Sequence, residues 1–309
     1  MANTRELRRR IKSVKNTAQI TKAMQMVAAA KMRKAQNQAI NGRPYSFNLS
    51  SSLNKLLPLV ELGSHPLLQS NESKKAFVVI FSTDKSLCGS LNTNLFRMLT
   101  QSDLLSSDNN FITVGKKARN FIARMGKNLV ADFENIDTVT FRMATQLSKM
   151  IMDSFLTGEI GEAYITYPHF GSALRQEPTK LKLLPIKAED VIEMVNSHSG
   201  AERSEAIESR SYRPDKSGLQ DDKGEEYFFE PDPNSLLDYI LVHHIQIKIY
   251  QALLETKASE HSARMMAMQN ATDNALDLVS DLNLTYNQTR QSAITKELLE
   301  ITTAQAAME

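Results

Sequence analysis

The sequence has few of the residues that carry disulfide, cofactor and membrane-spanning chemistry. It contains one cysteine, no tryptophan and an aromatic content of only 6%. A single cysteine excludes an intrachain disulfide and a cysteine-based zinc cluster. The longest uninterrupted apolar run is residues 76–81, far shorter than the roughly 20 residues that a membrane-spanning helix needs. No signal peptide follows Met1, so we expect a soluble protein made in the cytosol, with any membrane association through a partner.

The usual nucleotide-binding motifs are also missing. Gly115-Lys116 and Gly126-Lys127 lack the upstream glycine and the following Ser or Thr of a phosphate loop, and no Gly-x-Gly-x-x-Gly is present. His243 and His244 are adjacent, so on a helix they point about 100° apart and do not share a metal ion. We therefore expect no catalytic site, no cofactor and no metal site. A small enzyme using Cys88, in a glycine-containing turn after a strand, stays as an alternative hypothesis.

The C-terminal part of the chain lacks helix breakers. No proline or glycine occurs from Asn234 to the end, and Ala, Met, Leu, Gln and Glu dominate. One set of positions recurs at alternating steps of four and three, which predicts the seam of a coiled coil. The set is Leu254, Ala258, His261, Met265, Met268, Thr272, Ala275, Val279, Leu282, Tyr286, Thr289 and Ala293. A helix of about 70 residues is roughly 100 Å long, so it needs a partner along its length.

The N-terminal segment is the candidate partner. It repeats the same spacing, with Gln25 as a polar break, at Leu7, Ile11, Val14, Ala18, Thr21, Ala28, Met32, Ala35 and Ala39. We expect Gly42-Arg43-Pro44 to interrupt this helix before a further apolar-periodic stretch. Two helices that leave one side of an inserted domain run antiparallel. Small seam residues on both helices would let the two backbones approach closely: Ala18, Ala28 and Ala35 against Ala258, Ala275 and Ala293.

Charge is concentrated in the first helix. Residues 1–35 hold ten Lys or Arg and one acid, a net charge of +9, whereas the whole chain carries only +2. This concentration predicts an acidic neighbour. Nucleic acid is disfavoured, because the basic face has no interleaved aromatic residues.

The middle of the chain alternates between strands and helices. Residues 76–82 form an apolar, β-branched run typical of a strand buried on both faces. Further strands are predicted at residues 111–114, 129–133, 163–167 and 181–184. Helices are predicted at residues 91–105, 116–125 and 141–156. This alternation predicts a small Rossmann-like α/β domain with a mainly parallel sheet.

The domain organisation follows from these patterns. An N-terminal coiled-coil helix is predicted for residues 1–60, the inserted α/β domain for 75–195, and the C-terminal coiled-coil helix for 234–309. Residues 197–232 carry ten acids and five bases and are predicted to be a polar, acidic surface loop.

Three long motifs resemble the gamma subunits of F-type ATP synthases. Residues 11–32 resemble the family's N-terminal signature, and residues 258–275 and 290–298 resemble its C-terminal motifs, each at the corresponding end of the chain. Residues 82–92 are similar to the family's Ser-Asp-Arg/Lys-Gly-Leu-Cys-Gly-Gly-Leu-Asn, with departures at Thr83, Ser86 and Ser90.

The resemblance implies a rotor without a catalytic site of its own. In this family the two terminal helices form an antiparallel coiled coil inside a hexamer of alpha and beta subunits. The α/β domain sits on the ring of c subunits beside the epsilon subunit. Proton-driven rotation of the shaft drives the three beta sites through different nucleotide affinities. The implied location is peripheral, on the cytoplasmic face of the bacterial inner membrane.

The resemblance also implies contact residues. Arg290 and Gln291 match positions that hydrogen-bond a loop of one beta subunit, with Thr295 and Glu297 in the same patch. Candidate contacts with the acidic lever segments of beta subunits are Lys15, Lys22 and Met24. A free-standing coiled-coil adaptor carrying an inserted α/β domain remains the second hypothesis.

Overall fold

The computed structural model describes residues 4–56, 65–105, 109–135, 138–186 and 233–306. Two long helices dominate it. Helix α1 spans Thr4–Leu56 and helix α5 spans Pro233–Ala306, 53 and 74 residues respectively. The acidic segment 197–232 predicted from sequence lies outside the described residues. None of the helices in the described ranges carries an apolar stretch long enough to cross a bilayer.

The two helices form an antiparallel pair. Thr21 bonds Thr272 through their hydroxyls at 2.7 Å, whereas Gln251 Nε2 donates to the Ala39 carbonyl at 3.2 Å. Residues later in α1 therefore contact residues earlier in α5. Nearly all the predicted seam positions are buried or half-buried in the pair. The spacing thus predicted the contact face of each helix, and the position of the inserted domain between them predicted the antiparallel orientation.

The predicted interruption of the first helix at Gly42-Arg43-Pro44 is wrong, because α1 continues through Pro44. Proline removes only one backbone hydrogen bond, and the flanking Ala39 and Leu53 are both buried. Gly42 marks a close helix contact here: a Cβ at this position would lie 3.0 Å from Gln251 Oε1. Packing before and after residues 42–44 therefore keeps the chain helical through them.

The prediction that Ala293 belongs to the seam is also wrong, because its side chain is exposed. The last apolar layer of the pair joins Leu7 and Ile11 of α1 to Val279 and Leu282 of α5. Beyond Tyr286, α5 continues past the described start of α1. The spacing persists in the sequence there, but no described helix lies opposite it.

A five-stranded sheet makes the centre of the α/β domain. Its strands are β1 (Ala76–Phe81), β2 (Asn110–Val114), β3 (Asn128–Phe133), β4 (Glu162–Phe170) and β5 (Gln176–Leu184). The order is β3-β2-β1-β4-β5, with β5 antiparallel and all other pairings parallel. This confirms the predicted α/β class with a mainly parallel sheet beside long terminal helices.

Helices cover both faces of the sheet. Helices α2 (Leu91–Gln101) and α3 (Lys116–Arg124) cover one face, with Leu95, Leu99 and Ile122 buried against Val78 and Phe111. Helix α4 (Phe141–Leu156) and the first part of α5 cover the other face. The sheet is thus attached directly to the long helix.

Three predicted element bounds in the α/β domain differ from the structure by more than one residue. The predicted helix 91–105 ends at Gln101, and a 3-10 turn follows at Asp103–Leu105. Strand β4 runs past Pro168, because β1 pairs only as far as Thr166 and needs no donor beyond it. Strand β5 begins earlier than predicted. Its first half is polar and only partly buried, so the apolar pattern did not reveal it.

Candidate functional site

The free end of helix α5 is the first candidate surface. From residue 290 to residue 305 every α5 side chain is exposed, although the helix continues to Ala306. Large apolar side chains are among them: Ile294, Leu298, Leu299 and Ile301 are 45–63% exposed. A single helix with this much exposed apolar surface is typical of a segment that a partner surrounds.

The four predicted contact residues all lie on this free segment. Gln291 and Thr295 are one helical turn apart and line the same stripe, together with Lys296 and Leu299. Arg290 and Glu297 are separated by seven residues, so they share an adjacent face. The structure thus brings Gln291 and Thr295 together on one side and Arg290 and Glu297 on the next, all open to a partner.

The predicted lever contacts form a separate group on α1. Lys15 and Lys22 are exposed and two turns apart, and Met24 is half-buried. Thr21 lies opposite Thr272, and 18 residues of helix, about 27 Å, separate Thr272 from Arg290. The two predicted contact groups therefore face a surrounding partner at different heights along the helix pair.

From the Thr21–Thr272 pair towards the α/β domain, the seam is polar for a coiled coil. Apart from the Thr21–Thr272 hydroxyl pair, it contains Gln25, whose Oε1 is buried without a hydrogen-bond partner among the described residues. His261 is also buried, and burial is the main cause that lowers the pKa of His261 to about 4. The nearby Lys257, Arg264 and Lys31 lower it further, and Glu260 opposes them. His261 is therefore neutral in the seam at neutral pH.

A buried charged cluster that sequence reasoning missed joins α5 to the carboxyl end of the sheet. We call Asn135, Lys257, Glu260 and Arg264 the charged joint. Lys257 Nζ donates to the Asn135 carbonyl at 3.0 Å and lies 3.4 Å from Glu260 Oε2. Arg264 Nη2 donates to Glu260 Oε1 at 3.0 Å. Every α5 residue from 252 to 263 is buried, charged ones included, and this enclosure has no signature in the local sequence.

The second side of the same helix stretch is held by two serine hydroxyls and a glutamate–histidine contact. Ser259 Oγ donates to the Pro168 carbonyl at 2.9 Å, and Ser262 Oγ donates to the Ala173 carbonyl at 2.6 Å. Glu255 pairs with His169 at 2.6 Å. Polar groups of the α/β domain thus bind α5 on two sides.

The Cys88 turn is a packed structural element. The Cys88 side chain is buried beside Leu91 and Ala263. Its described polar contacts are with Asn92 Nδ2 at 3.3 Å and Thr83 Oγ1 at 3.8 Å. Neither neighbour is a base that activates a thiol, so the turn does not resemble a nucleophile site.

Comparison with known proteins agrees with this architecture. The family model described as ATP synthase matches residues 3–308. The chain is 44% identical to the ATP synthase gamma chain of Methylacidiphilum infernorum (isolate V4), with full coverage of both chains. It is 41% identical to the ATP synthase gamma chain of Opitutus terrae, with 99% of each chain covered.

Solved structures show the same fold. A chain in the cryo-EM structure of the Euglena gracilis mitochondrial ATP synthase aligns with a TM-score of 0.64 and 22% identity, over 99% of this chain and 94% of that one. A chain in the Tetrahymena thermophila mitochondrial ATP synthase central stalk and c-ring structure aligns with a TM-score of 0.58 and 24% identity, over 82% of this chain and 99% of that one.

The fold is therefore shared with the aligned chains of these ATP synthase structures: a pair of long helices with an α/β domain attached to its side. The sequence relationship is more specific than the fold: the chain belongs to the ATP synthase family, and its curated relatives are the gamma chains.

Proposed function

We propose that this chain is the central rotor shaft of a proton-translocating F-type ATP synthase. In this role it couples rotation of a c-subunit ring to ATP synthesis or hydrolysis at the beta subunits, and it contributes no catalytic residue. The observation that carries the proposal is the shape of α5. Its residues 290–305 are all exposed and have no described helix opposite them, whereas its residues 252–263 are all buried beside the α/β domain.

The two ends of the shaft then meet different partners. The free end with its exposed Ile294, Leu298 and Leu299 enters the hexamer of alpha and beta subunits. The α/β domain, at the opposite end, rests on the c-subunit ring beside the epsilon subunit. The chain associates with the cytoplasmic face of the bacterial inner membrane only through these partners.

Specific contacts are proposed at both levels of the shaft. Arg290 and Gln291 donate hydrogen bonds to a beta-subunit loop, with Thr295 and Glu297 in the same patch. All four side chains are exposed, so their polar atoms can reach a partner. The exposed amines of Lys15 and Lys22 on the basic helix suit the acidic lever segments of beta subunits, with Met24 beside them.

The contact proposal is tested by Arg290→Ala combined with Gln291→Ala. Both side chains are exposed, so each substitution should change the free energy of unfolding by less than about 0.5 kcal/mol. In the assembled complex the double variant should weaken assembly or coupling. The matched control is Arg97→Ala with Gln101→Ala, an exposed Arg and Gln on helix α2 of the α/β domain. Wild-type turnover and coupling in the Arg290–Gln291 variant would rule out this contact.

A further inference from the structure

The charged joint lies where the α/β domain meets the shaft, and this contact differs from the apolar part of the domain interface. Nearer the start of α5, the contact with the domain is made by Leu241, Ile245 and Ile249 in the main apolar core. Apolar contact is non-directional, so it holds two elements together without fixing the angle between them. Hydrogen bonds to buried charges are directional and do fix that angle.

The charges of the joint are almost fully enclosed. The side chains of Lys257 and Glu260 are 4% and 6% exposed, and that of Arg264 is 12% exposed. A shift of the domain around α5 would separate Lys257 from the Asn135 carbonyl. It would also separate Asn135 Nδ2 from Glu260 Oε2, 3.4 Å away, so that the buried Lys257–Glu260 pair would lose its hydrogen bonds to the domain.

The joint reaches two loops at the carboxyl end of the sheet. Asn135, just after β3, donates through Nδ2 to the Ser82 carbonyl at the end of β1, and its backbone N–H donates to Asp84 at 3.2 Å. Arg264 Nη2 lies 3.5 Å from the Ser86 carbonyl in the turn after β1. Helix α5 is therefore tied to the ends of two strands and not to one mobile loop.

We propose that the charged joint fixes the angular position of the α/β domain on the shaft. Torque applied to the domain then turns the helix, and the domain does not slip around it. Lys257, Glu260 and Arg264 are then positioning residues for coupling. This inference rests on the proposed rotor function, since it assigns to the joint the transmission of torque between ring and hexamer.

The test uses the complete complex in vesicles, with ATP hydrolysis and ATP-driven proton pumping measured together. Glu260→Gln keeps the shape of the side chain but removes the carboxylate that both Lys257 and Arg264 contact. Lys257→Met is the milder variant, because it keeps the Glu260–Arg264 pair. The control is Glu177→Gln, which neutralises a carboxylate in the exposed Arg175–Glu177 pair of the same domain.

We expect both joint variants to hydrolyse ATP at near the control rate and to pump fewer protons per ATP, with the larger loss in Glu260→Gln. Amide hydrogen exchange at residues 83–86 and 135 should accelerate, on the order of 100-fold in Glu260→Gln, while the main apolar core stays protected. This exchange confirms that the joint has opened in a folded domain.

A rotation assay separates slip from a general loss of stability. Asn120 is exposed on α3 and Cys88 is buried, so Asn120→Cys gives one labelling site on the domain. With the hexamer immobilised, a probe on this cysteine should show a wider angular spread during pauses in the joint variants than in the control.

Wild-type pumping per ATP and wild-type angular spread, in a variant whose exchange shows an open joint, would overturn the inference. A wild-type chain that forms no complex and supports no hydrolysis would instead refute the proposed function itself.

Discussion

The last layer of the helix pair gives a sharp test of where the shaft becomes a single helix. Leu282 is 9% exposed and packs with Leu7, Ile11 and Val279, whereas Leu284, two residues on, is 60% exposed. We predict that Leu282→Ala detaches the start of α1 from α5, and that Leu284→Ala leaves the isolated chain unchanged. The two variants delete the same atoms from one helix, so they differ only in what the side chain contacts.

The magnitude follows from the size and openness of the layer. Truncation of a buried leucine to alanine costs about 2–5 kcal/mol, and a layer of four residues open to water relaxes well, so about 2 kcal/mol is expected here. That loss corresponds to roughly 30-fold faster amide exchange in the affected turns. Ala263, the last α5 residue in the Cys88 cluster, is 19 residues away, about 28 Å along the helix, so the α/β domain should keep its melting temperature.

The assay is amide hydrogen exchange resolved by peptide, on the isolated chain. Peptides covering residues 4–14 and 276–286 should exchange faster in Leu282→Ala, and those covering the sheet should not. Equal exchange in the two alanine variants would refute the assigned layer. In the assembled complex the order should reverse in part, because an enclosing partner makes the exposed Leu284 costly to remove.

Three further predictions concern the interior. Gly115 has φ of 105° and a Cβ there would lie 2.5 Å from the carbonyl oxygen just after β1, so Gly115→Ala should cost about 3 kcal/mol in denaturant unfolding. Gly126→Ala, at φ of 66° with open space around it, should cost less, and equal losses would contradict the steric reason. Thr272→Val should cost about 1 kcal/mol because it removes the hydroxyl paired with Thr21, and adding Thr21→Val should cost little more; a doubled loss would contradict this pairing. Burial lowers the pKa of His261 from 6.5 to about 4, so the unfolded chain binds more protons between these values and stability should fall as the pH drops from 6.5 towards 4. His261→Gln should flatten that part of the pH–stability curve, and an unchanged slope would show that another group dominates.

Periodicity in the sequence predicted the long-range pairing of the helices because a coiled-coil seam is a one-dimensional pattern. Val279 and Leu282 appear as seam residues from their spacing alone, and both are buried against α1. The same pattern failed at Ala293, because spacing does not report where the partner helix begins. It also gave too much weight to Gly42 and Pro44, whose helix-breaking tendency is overridden by packing on both sides.

The buried charges could not be predicted in this way. Lys257 and Glu260 appear in the sequence as an ordinary i,i+3 pair of the kind found on exposed helix faces. Their partner Asn135 is more than a hundred residues away and follows an edge strand of the sheet. Only the fold, by placing the carboxyl ends of β1 and β3 against α5, turns a surface-like pair into an enclosed joint.

The central claim is tested most directly by reconstitution of the complex. The purified chain is mixed with cognate alpha and beta subunits, and the mass of the product is measured together with its ATP hydrolysis. The rotor account predicts a complex of three alpha, three beta and one copy of this chain, with turnover that depends on it. Self-association of a well-folded preparation, with no complex and no stimulation, would contradict the account and favour a coiled-coil adaptor.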